Sequence, residues 1–270
     1  TGCSLALEEL FADAGFPTNV FRSLLIPGRR ASALLDDDRI AAATLTGSEG
    51  AGRSVASKAG DNIKTTVLEL GGSDAFIVLD DADIAKAAEV AVRARFQNAG
   101  QSCIAAKRFI VVDAVADAFI DGFVKGADAL KLGDPEDPAT DLGPLARHDL
   151  RDDLADQVRR SIDAGATVLL GGDIPDGPGA YYPATVLEVS DVNSPVMQEE
   201  TFGPVAAVLR VPDEQAAIEA ANATTFGLSS SLWTTDPDRA RRLAPKIAAG
   251  GCFVNAMTAS DPRLPFGGVR

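Results

Sequence analysis

The stretch FQNAGQSCIAAKR, residues 96–108, places Cys103 in a run of small and polar residues. The alanine-rich segment before it, residues 81–97, has apolar side chains at helical spacing and an aspartate, Asp81 or Asp83, that can cap a helix N-terminus. The β-branched segment after it, KRFIVVD, predicts a strand. Cys103 is therefore predicted on a loop fixed by rigid elements, a position from which a nucleophile can be aimed.

The rest of the chain alternates between strand and helix patterns around this loop. Strands are predicted at residues 20–27, 39–47, 64–70, 76–79, 167–172, 182–189, 205–211, 227–234 and 251–256. Helices or helical turns are predicted at residues 4–14, 28–38, 115–130, 148–164, 213–222 and 236–250. Such an alternation favours an α/β fold with a parallel sheet and right-handed crossovers.

Composition and charge narrow the class of protein. With 270 residues, of which 46% are hydrophobic, the chain can bury a large core in one or two domains. Its 25 basic and 39 acidic residues give a formal charge of -14, which argues against nucleic acid or an anionic membrane as the main partner. The three cysteines, Cys3, Cys103 and Cys252, show no metal-binding spacing and no disulfide framework, so we expect no metal site and a reducing, cytoplasmic location.

A second reactive side chain lies in VLELGG, residues 67–72, where Glu69 closes a β-branched run before two glycines. A thiolate such as that of Cys103 attacks an electrophilic carbon, and a nearby carboxylate can take a proton from the thiol or from water. Each residue also has an ordinary structural interpretation. A lone cysteine is most often a small buried hydrophobe, and a glutamate at a strand end is most often simply solvated.

Two further segments also have both a functional and a structural interpretation. TGSEGAG, residues 46–52, lies between a predicted strand and a predicted helix. Its backbone amides can face a phosphate, although an ordinary tight turn fits the same residues. EETFGPV, residues 199–205, is compatible with an exposed acidic turn before a strand or with a binding carboxylate. The carboxylate suits a diol because it accepts two donors at once.

Four ordered motifs together are more specific than any one of them. They are ELGG at residues 69–72, GQSC at 100–103, QEETFGPV at 198–205 and PFGG at 265–268. With these motifs the chain resembles the aldehyde dehydrogenase superfamily over essentially its whole length. The resemblance implies an α/β fold in which residues 1–71 are the C-terminal part of a Rossmann-like cofactor domain and residues 72–270 are a truncated catalytic domain.

The resemblance also implies roles for individual residues. In that family the ELGG segment carries the general base and the GQxC segment the nucleophile, which implies these roles for Glu69 and Cys103. The implied cofactor is NADP or NAD, and no metal is implied. The residues implied to contact the cofactor are Gly47, Ser48, Leu70, Gly71, Glu200 and Phe202. Glu200 would accept hydrogen bonds from the nicotinamide ribose, and Phe202 would pack near the same end of the cofactor.

The substrate is implied by two stretches near the ends of the catalytic part. GQSCIAAKRFIV and ASDPRLPFGGVR together resemble the subgroup that oxidises succinate semialdehyde to the acid through a cysteine thiohemiacetal and thioester. In that subgroup a serine at the position of Ser260 helps to bind the far carboxylate. Arg263 is a candidate on chemistry alone, since a guanidinium pairs well with a carboxylate, and a surface arginine is equally compatible with its position.

Two alternatives to this function stay open. One is an aldehyde dehydrogenase of broader specificity with another substrate, and the other is a non-catalytic derivative or inactive fragment of the fold. The intact set of Glu69, Cys103 and Glu200 weighs against a scaffold, which has no use for a nucleophile and a base. Glu69 also argues against the coenzyme-A acylating branch, which needs no base for water.

The chain begins with Thr1 rather than methionine, and its first helix corresponds to an internal helix of the family, so we expect a piece of a longer protein. The family's oxyanion-hole asparagine, its cofactor-binding lysine and the usual substrate arginine would all precede Thr1. We therefore expect the isolated 270-residue chain to be weakly active or inactive. The full-length protein is expected to form a homo-oligomer, a dimer or a tetramer, and the subgroup leans to NADP.

Overall fold

Strands and helices alternate along most of the chain in a computed structural model of the protein, which describes residues 2–270. The backbone divides into two compact units, Thr1–Leu70 and Gly71–Arg270. The roles of the two units in cofactor binding and catalysis stay a prediction.

The first unit is built around a β-α-β element. Its elements are α1 (Gly2–Asp13), α2 (Gly28–Leu34), β1 (Ala42–Thr46), α3 (Glu49–Asp61) and β2 (Thr65–Glu69). Strands β1 and β2 pair in parallel, with Thr46 opposite Glu69 at their carboxyl ends. The Ser48 hydroxyl caps α3 by accepting a hydrogen bond of 3.3 Å from the Ala51 amide. The loop between β1 and α3 therefore lies beside the end of the strand that carries Glu69.

The prediction of a strand at residues 20–27 is wrong, because this segment forms no strand in the described structure. The Ile26 amide donates to the carbonyl of Leu24 at 2.9 Å, so the backbone turns locally instead of pairing with a neighbour. Pro27, which has no N–H to give to a strand ladder, ends the segment. The apolar side chains that suggested a strand are largely exposed, with Leu24 at 60% and Leu25 at 55%.

The second unit contains a seven-stranded sheet with the order β5-β6-β7-β4-β3-β8-β9. The strands are β3 (Asp74–Val78), β4 (Ala106–Val112), β5 (Thr167–Leu170), β6 (Thr185–Val189), β7 (Val205–Val211), β8 (Ser229–Trp233) and β9 (Gly251–Val254). The helices are α4 (Ile84–Phe96), α5 (Asp113–Asp128), α6 (His148–Asp163), α7 (Pro195–Gln198), α8 (Glu214–Asn222) and α9 (Pro237–Leu243). Strands β3, β4 and β8 are buried along their whole length, so the centre of the sheet forms the core.

One strand departs from the predicted parallel sheet. The edge strand β5 pairs antiparallel with β6, whereas the other neighbouring pairs are parallel. Strands β5 and β6 follow each other through a loop, and without a crossover helix between them the chain returns antiparallel. Gly171 and Gly172 begin that loop with φ angles of +65° and +103°, a conformation that glycine adopts without steric cost.

The sheet packs against α4 and α5 through aromatic side chains and through a helix face of small side chains. Phe109 packs against Phe123 with ring centroids 4.6 Å apart, and Phe76 stacks on Trp233 at 5.4 Å. Helix α4 presents buried alanines to this core and is capped by Asp83, whose carboxylate accepts a hydrogen bond of 3.1 Å from the Lys86 amide. Of the two aspartates predicted as caps, Asp83 is therefore the one that caps α4. The core anchors α4, whose last turn leads directly to the cysteine loop, residues 97–105.

Candidate active site

The loop that carries Cys103 is shaped by a sharp reversal at the end of α4. Asn98, Ala99 and Gly100 have φ angles of 54°, 50° and 72°, in the left-handed region. A side chain at Gly100 would collide with the carbonyl of Gly203 and with the Arg95 guanidinium. The reversal returns the chain into β4 and leaves the Cys103 side chain half-buried between the two elements.

Arg95, on the last turn of α4, is fully buried beneath this loop. Its guanidinium donates to the carbonyls of Gly100, Ala106, Thr201 and Gly203 at distances of 2.5–3.3 Å. Burial lowers the pKa of Arg95 to about 9, and the nearby Glu200 carboxylate partly opposes that shift. Arg95 therefore joins the cysteine loop to the EETFGPV segment in the centre of the unit.

Lys107, at the start of β4, is also fully buried and lies directly behind Cys103. Its ammonium donates to the carbonyls of Ser102 at 2.8 Å, Cys103 at 3.0 Å and Ala105 at 3.3 Å. Burial is the main reason that the pKa of Lys107 falls to about 8, and Arg95 lowers it further. Every carbonyl that Lys107 contacts belongs to the loop that presents the thiol.

Glu200 reaches the same cluster from the EETFGPV segment. Its Oε1 accepts a hydrogen bond of 3.0 Å from the Gly72 amide and lies 3.6 Å from the Lys107 ammonium. A Cβ atom at Gly71 would overlap the Glu200 carboxylate, and a Cβ atom at Gly72 would lie 2.5 Å from the carbonyl oxygen of Cys103. Gly72 is therefore required by its close contact with the backbone of Cys103, whereas a side chain at Gly71 would displace the Glu200 carboxylate from its position. The Glu200 side chain stays 20% exposed, so its carboxylate can still accept donors from a ligand.

The backbone next to Glu200 is held by α6. The Arg160 guanidinium donates to both carboxylate oxygens of Glu199, at 2.7 and 2.8 Å. Gln157 donates to Glu199 at 3.1 Å and to the carbonyl of Glu200 at 3.2 Å. The first glutamate of the motif is thus a structural anchor, which leaves the second free to act at the site.

The surroundings of Cys103 have opposing effects on its thiol. Burial raises the pKa of Cys103, and the carboxylates of Asp74 and Glu200 add to that rise. The Lys107 ammonium and the backbone N–H of Ile104 lower it. Lys107 is therefore the main side chain that favours the thiolate of Cys103.

In the first unit, the structure brings together four of the predicted residues. The Gly47 amide donates to the carbonyl of Glu69 at 3.0 Å, and Ser48 follows as the cap of α3. Gly52, in the first turns of α3, packs against Leu70, and a Cβ atom there would lie 2.6 Å from the Leu70 side chain. The glycine-rich loop and the strand end that carries Glu69 thus form one local arrangement.

The remaining predicted residues lie at the surface of the second unit. Ser260 is exposed, and Phe202 is 38% exposed. The Arg263 side chain is 85% exposed and its guanidinium pairs with both oxygens of Asp261, at 2.7 and 2.9 Å. This arrangement is that of a surface arginine, and a role for Arg263 in substrate binding stays a prediction.

Sequence reasoning missed the buried charges around the cysteine loop. Asp74, Arg95, Lys107 and Arg108 are all at least 97% buried, which is a property of the fold rather than of their immediate neighbours in sequence. One signal was available, since Arg95 follows Ala88 and Ala91 on the inward face of α4 at helical spacing. A cation on an apolar helix face indicates a buried polar partner.

The fold and this arrangement together define an α/β protein with glycine-lined motifs gathered around a cysteine loop. The chain belongs to the aldehyde dehydrogenase family, whose family model matches residues 1–270. It is 53% identical over 268 residues to a probable NADP(+) succinate-semialdehyde dehydrogenase of Synechocystis sp., an alignment that covers 99% of this chain and 59% of that protein. It is 54% identical over 267 residues to the NADP(+) succinate-semialdehyde dehydrogenase of Mycolicibacterium paratuberculosis, covering 99% of this chain and 57% of the relative.

Solved structures give the same result for the fold. The crystal structure of succinic semialdehyde dehydrogenase from Streptococcus pyogenes in complex with NADP+ superimposes with a TM-score of 0.95 and 39% identity, over 99% of this chain and 59% of that chain. Lactaldehyde dehydrogenase from Escherichia coli gives a TM-score of 0.96 with 32% identity, over 99% of this chain and 56% of that one. The predicted α/β fold and family are confirmed, and the chain spans 59% of the length of the Synechocystis relative.

Two further features bear on what the described residues can bind. Among residues 2–270 no group of three or more His, Cys, Asp or Glu side chains is arranged to hold a metal ion. Over the same residues, no helix combines the length and the apolar character needed to cross a membrane.

Proposed function

We propose that the gene product carrying this chain oxidises succinate semialdehyde to the carboxylic acid with NADP+, or NAD+, as the oxidant. The observation that carries the proposal is the cysteine loop: Cys103 lies on a loop whose carbonyls are held by a buried Lys107, which in turn lies 3.6 Å from Glu200. Family membership and the names of relatives more than 50% identical support the choice of reaction and substrate.

In the proposed mechanism Cys103 is the nucleophile. Its thiolate adds to the aldehyde carbon to form a thiohemiacetal, and a backbone N–H of the cysteine loop donates to the resulting oxyanion. A bound nicotinamide dinucleotide supplies the hydride acceptor. Cys103 then carries a thioester, and Glu69 removes a proton from the water that hydrolyses it. The acid leaves, and the thiol is restored.

The residues present fit a dinucleotide. The Glu200 carboxylate is partly exposed, and a carboxylate accepts two donors at once, as the ribose diol requires. We propose that Gly71 leaves the room that this carboxylate needs and that Phe202, which is exposed, covers the same end. In the first unit we assign the phosphates to the turn formed by Gly47 and Ser48 at the start of α3, with Leu70 nearby.

Steady-state kinetics test this proposal. The gene product should turn over succinate semialdehyde faster than propanal, with NADP+ preferred to NAD+, because the relatives at 53% and 54% identity are named for NADP(+). A terminal carboxylate on the aldehyde should lower KM. Equal KM values for the two aldehydes would contradict the proposed substrate and leave a broader aldehyde dehydrogenase.

We further propose that the gene product works in the cytoplasm as a homo-oligomer, a dimer or a tetramer, on a small-molecule aldehyde. The formal charge of -14 supports the expectation that neither nucleic acid nor an anionic membrane is its partner. Sedimentation velocity of the purified gene product tests the oligomeric state, and a monomer at micromolar concentration would contradict it.

A further inference from the structure

The buried ammonium of Lys107 is bound to three carbonyls of a single short loop. We propose that Lys107 is a positioning residue that fixes the peptide planes on both sides of Cys103 and thereby aims two backbone amides at the reacting sulfur and oxyanion. The proposal rests on the proposed function, in which Cys103 is the nucleophile.

The geometry of the peptide bond ties each of these two amides to a carbonyl that Lys107 holds. A peptide unit is planar, and in its trans form the C=O and the N–H point in opposite directions. The Ser102 carbonyl points inward to Lys107 at 2.8 Å, so the Cys103 N–H of the same peptide unit must point away from Lys107. The Cys103 carbonyl points inward at 3.0 Å, which turns the Ile104 N–H outward in the same way.

Both outward amides have a use at the thiol. The Ile104 N–H acts as a backbone donor that lowers the pKa of the Cys103 thiol. The Cys103 N–H is the amide closest in sequence to an oxyanion formed on that residue, and a donor held in advance stabilises such an oxyanion without reorganisation. If either carbonyl rotated away from Lys107, the corresponding amide would rotate with it and a donor would be lost.

The Lys107 charge is itself placed among charged groups from several elements. Arg95 on α4 repels it, whereas Glu200, Asp74 on β3 and the Cys103 thiolate attract it. Although burial lowers the pKa of Lys107 to about 8, the ammonium form still predominates at neutral pH. The cation therefore acts on the thiol through its charge as well as through the loop, and it lies 3.6 Å from Glu200.

The neighbouring residue offers a matched control. Arg108 is likewise buried, and its guanidinium donates to three carbonyls, those of Ser73, Ala220 and Ala221. None of these three belongs to the cysteine loop. Replacing Arg108 therefore removes a buried cation from the same strand without releasing the peptides beside Cys103.

The experiment compares Lys107→Met with Arg108→Met in the gene product. The first measurement is the rate of iodoacetamide alkylation at Cys103 as a function of pH, read by peptide mass mapping so that Cys3 and Cys252 are counted separately. The second is kcat for succinate semialdehyde. In Lys107→Met the midpoint of alkylation should move to higher pH, and kcat should fall about 10- to 100-fold, somewhat less than for deletion of an oxyanion donor. Folded Arg108→Met should keep the wild-type midpoint.

The outcomes separate this proposal from the proposed function. A wild-type protein that oxidises the aldehyde, with Lys107→Met unchanged in midpoint and kcat, would overturn the role of Lys107 alone. A wild-type protein without cysteine-dependent turnover would overturn the proposed function, whereas the alkylation midpoints would still report on Lys107. If Lys107→Met does not fold, Lys107→Gln is the second variant, since its amide keeps donors without charge. Failure of both variants to fold would leave Lys107 a structural role only and would also overturn the proposal.

Discussion

The Gly72 amide donates a hydrogen bond of 3.0 Å to the carboxylate of Glu200, a residue 128 positions later in the chain. This contact joins the ELGG motif to the EETFGPV motif, and there is no room for a Cβ atom between Gly72 and the carbonyl of Cys103. Three motifs that are far apart in sequence therefore meet at one glycine of the second unit. A glycine is required there because of space rather than because of an unusual backbone angle.

Gly72→Ala should damage the site for this reason. Its new Cβ atom would lie 2.5 Å from the carbonyl oxygen of Cys103 and 3.3 Å from the Leu228 side chain, so the cysteine loop must shift. Overpacking of this kind costs about 1–3 kcal/mol of stability, and a displaced nucleophile costs about tenfold or more in kcat. Urea unfolding and steady-state kinetics measure the two effects. Gly60→Ala, with nothing within 4 Å of its Cβ atom, is the matched control and should leave kcat unchanged.

Much of this site was predictable because its motifs are local in sequence. The runs FIVL and KRFIVVD predict strands, and both lie in the buried centre of the sheet as β3 and β4. The cysteine loop between α4 and β4 also follows from local patterns, since an alanine face and a β-branched run bracket it. Segments with a strong and consistent local pattern are the ones that sequence determines best.

The parts that were not predicted depend on distant contacts. Arg95 finds its carbonyl partners at Thr201 and Gly203, more than 100 positions away, and no local pattern encodes that pairing. The strand predicted at residues 20–27 failed because local turn bonds and Pro27 outweighed its apolar composition. Strand β5 runs antiparallel because of the connection that follows it, which periodicity does not report.

Glu69→Gln should slow hydrolysis of the proposed thioester. The amide cannot take a proton from water, and loss of a general base costs about 100-fold or more in steady-state turnover. Formation of the thioester should continue, so rapid mixing should give a burst of reduced cofactor equal to the number of active sites. Glu219→Gln, on the exposed face of α8, is the control and should show no burst. A uniform loss of both phases in Glu69→Gln would argue against this role.

Asp74 should make stability depend on pH. Burial raises the pKa of Asp74 to about 6 against the ordinary value of 3.8, so the folded protein binds a proton more tightly than the unfolded chain. The buried carboxylate therefore lowers the free energy of unfolding by an amount that grows as the pH rises from 3.8 to about 6 and then stays constant, and this cost disappears as the pH falls below the unfolded value. The free energy of unfolding of Asp74→Asn should exceed that of the wild type by about 1–2 kcal/mol more at pH 7 than at pH 4.5.

Urea unfolding of both proteins at the two pH values measures the Asp74 effect. The amide introduced by Asp74→Asn is uncharged at both pH values, while its oxygen can still accept from the Ser229 amide, which donates to Asp74 at 3.0 Å in the wild type. Asp152→Asn, at an exposed position of α6, is the control and should show no such pH dependence. An equal stability difference at both pH values would contradict the raised pKa.

Arg263→Gln tests the predicted contact with the far carboxylate of the substrate. If the guanidinium leaves Asp261 to bind that carboxylate, KM for succinate semialdehyde should rise about tenfold, the loss of about 1.4 kcal/mol. KM for propanal should not change. Arg241→Gln is the matched control. Like Arg263, Arg241 has an exposed side chain, at 75%, and pairs with an aspartate, Asp238. Equal KM values for wild type and Arg263→Gln would make this arginine a surface residue, and Ser260→Ala would then be the remaining test.

The proposed mechanism depends on the acylation of Cys103 during turnover. The most direct measurement is peptide mass mapping of the Glu69→Gln gene product, quenched with acid after mixing with succinate semialdehyde and NADP+. The proposed mechanism predicts a succinyl adduct on the peptide that contains Cys103. The adduct should be absent from the double variant with Cys103→Ala and present in the double variant with Cys252→Ala. An adduct on Cys252, or turnover that survives Cys103→Ala, would contradict it.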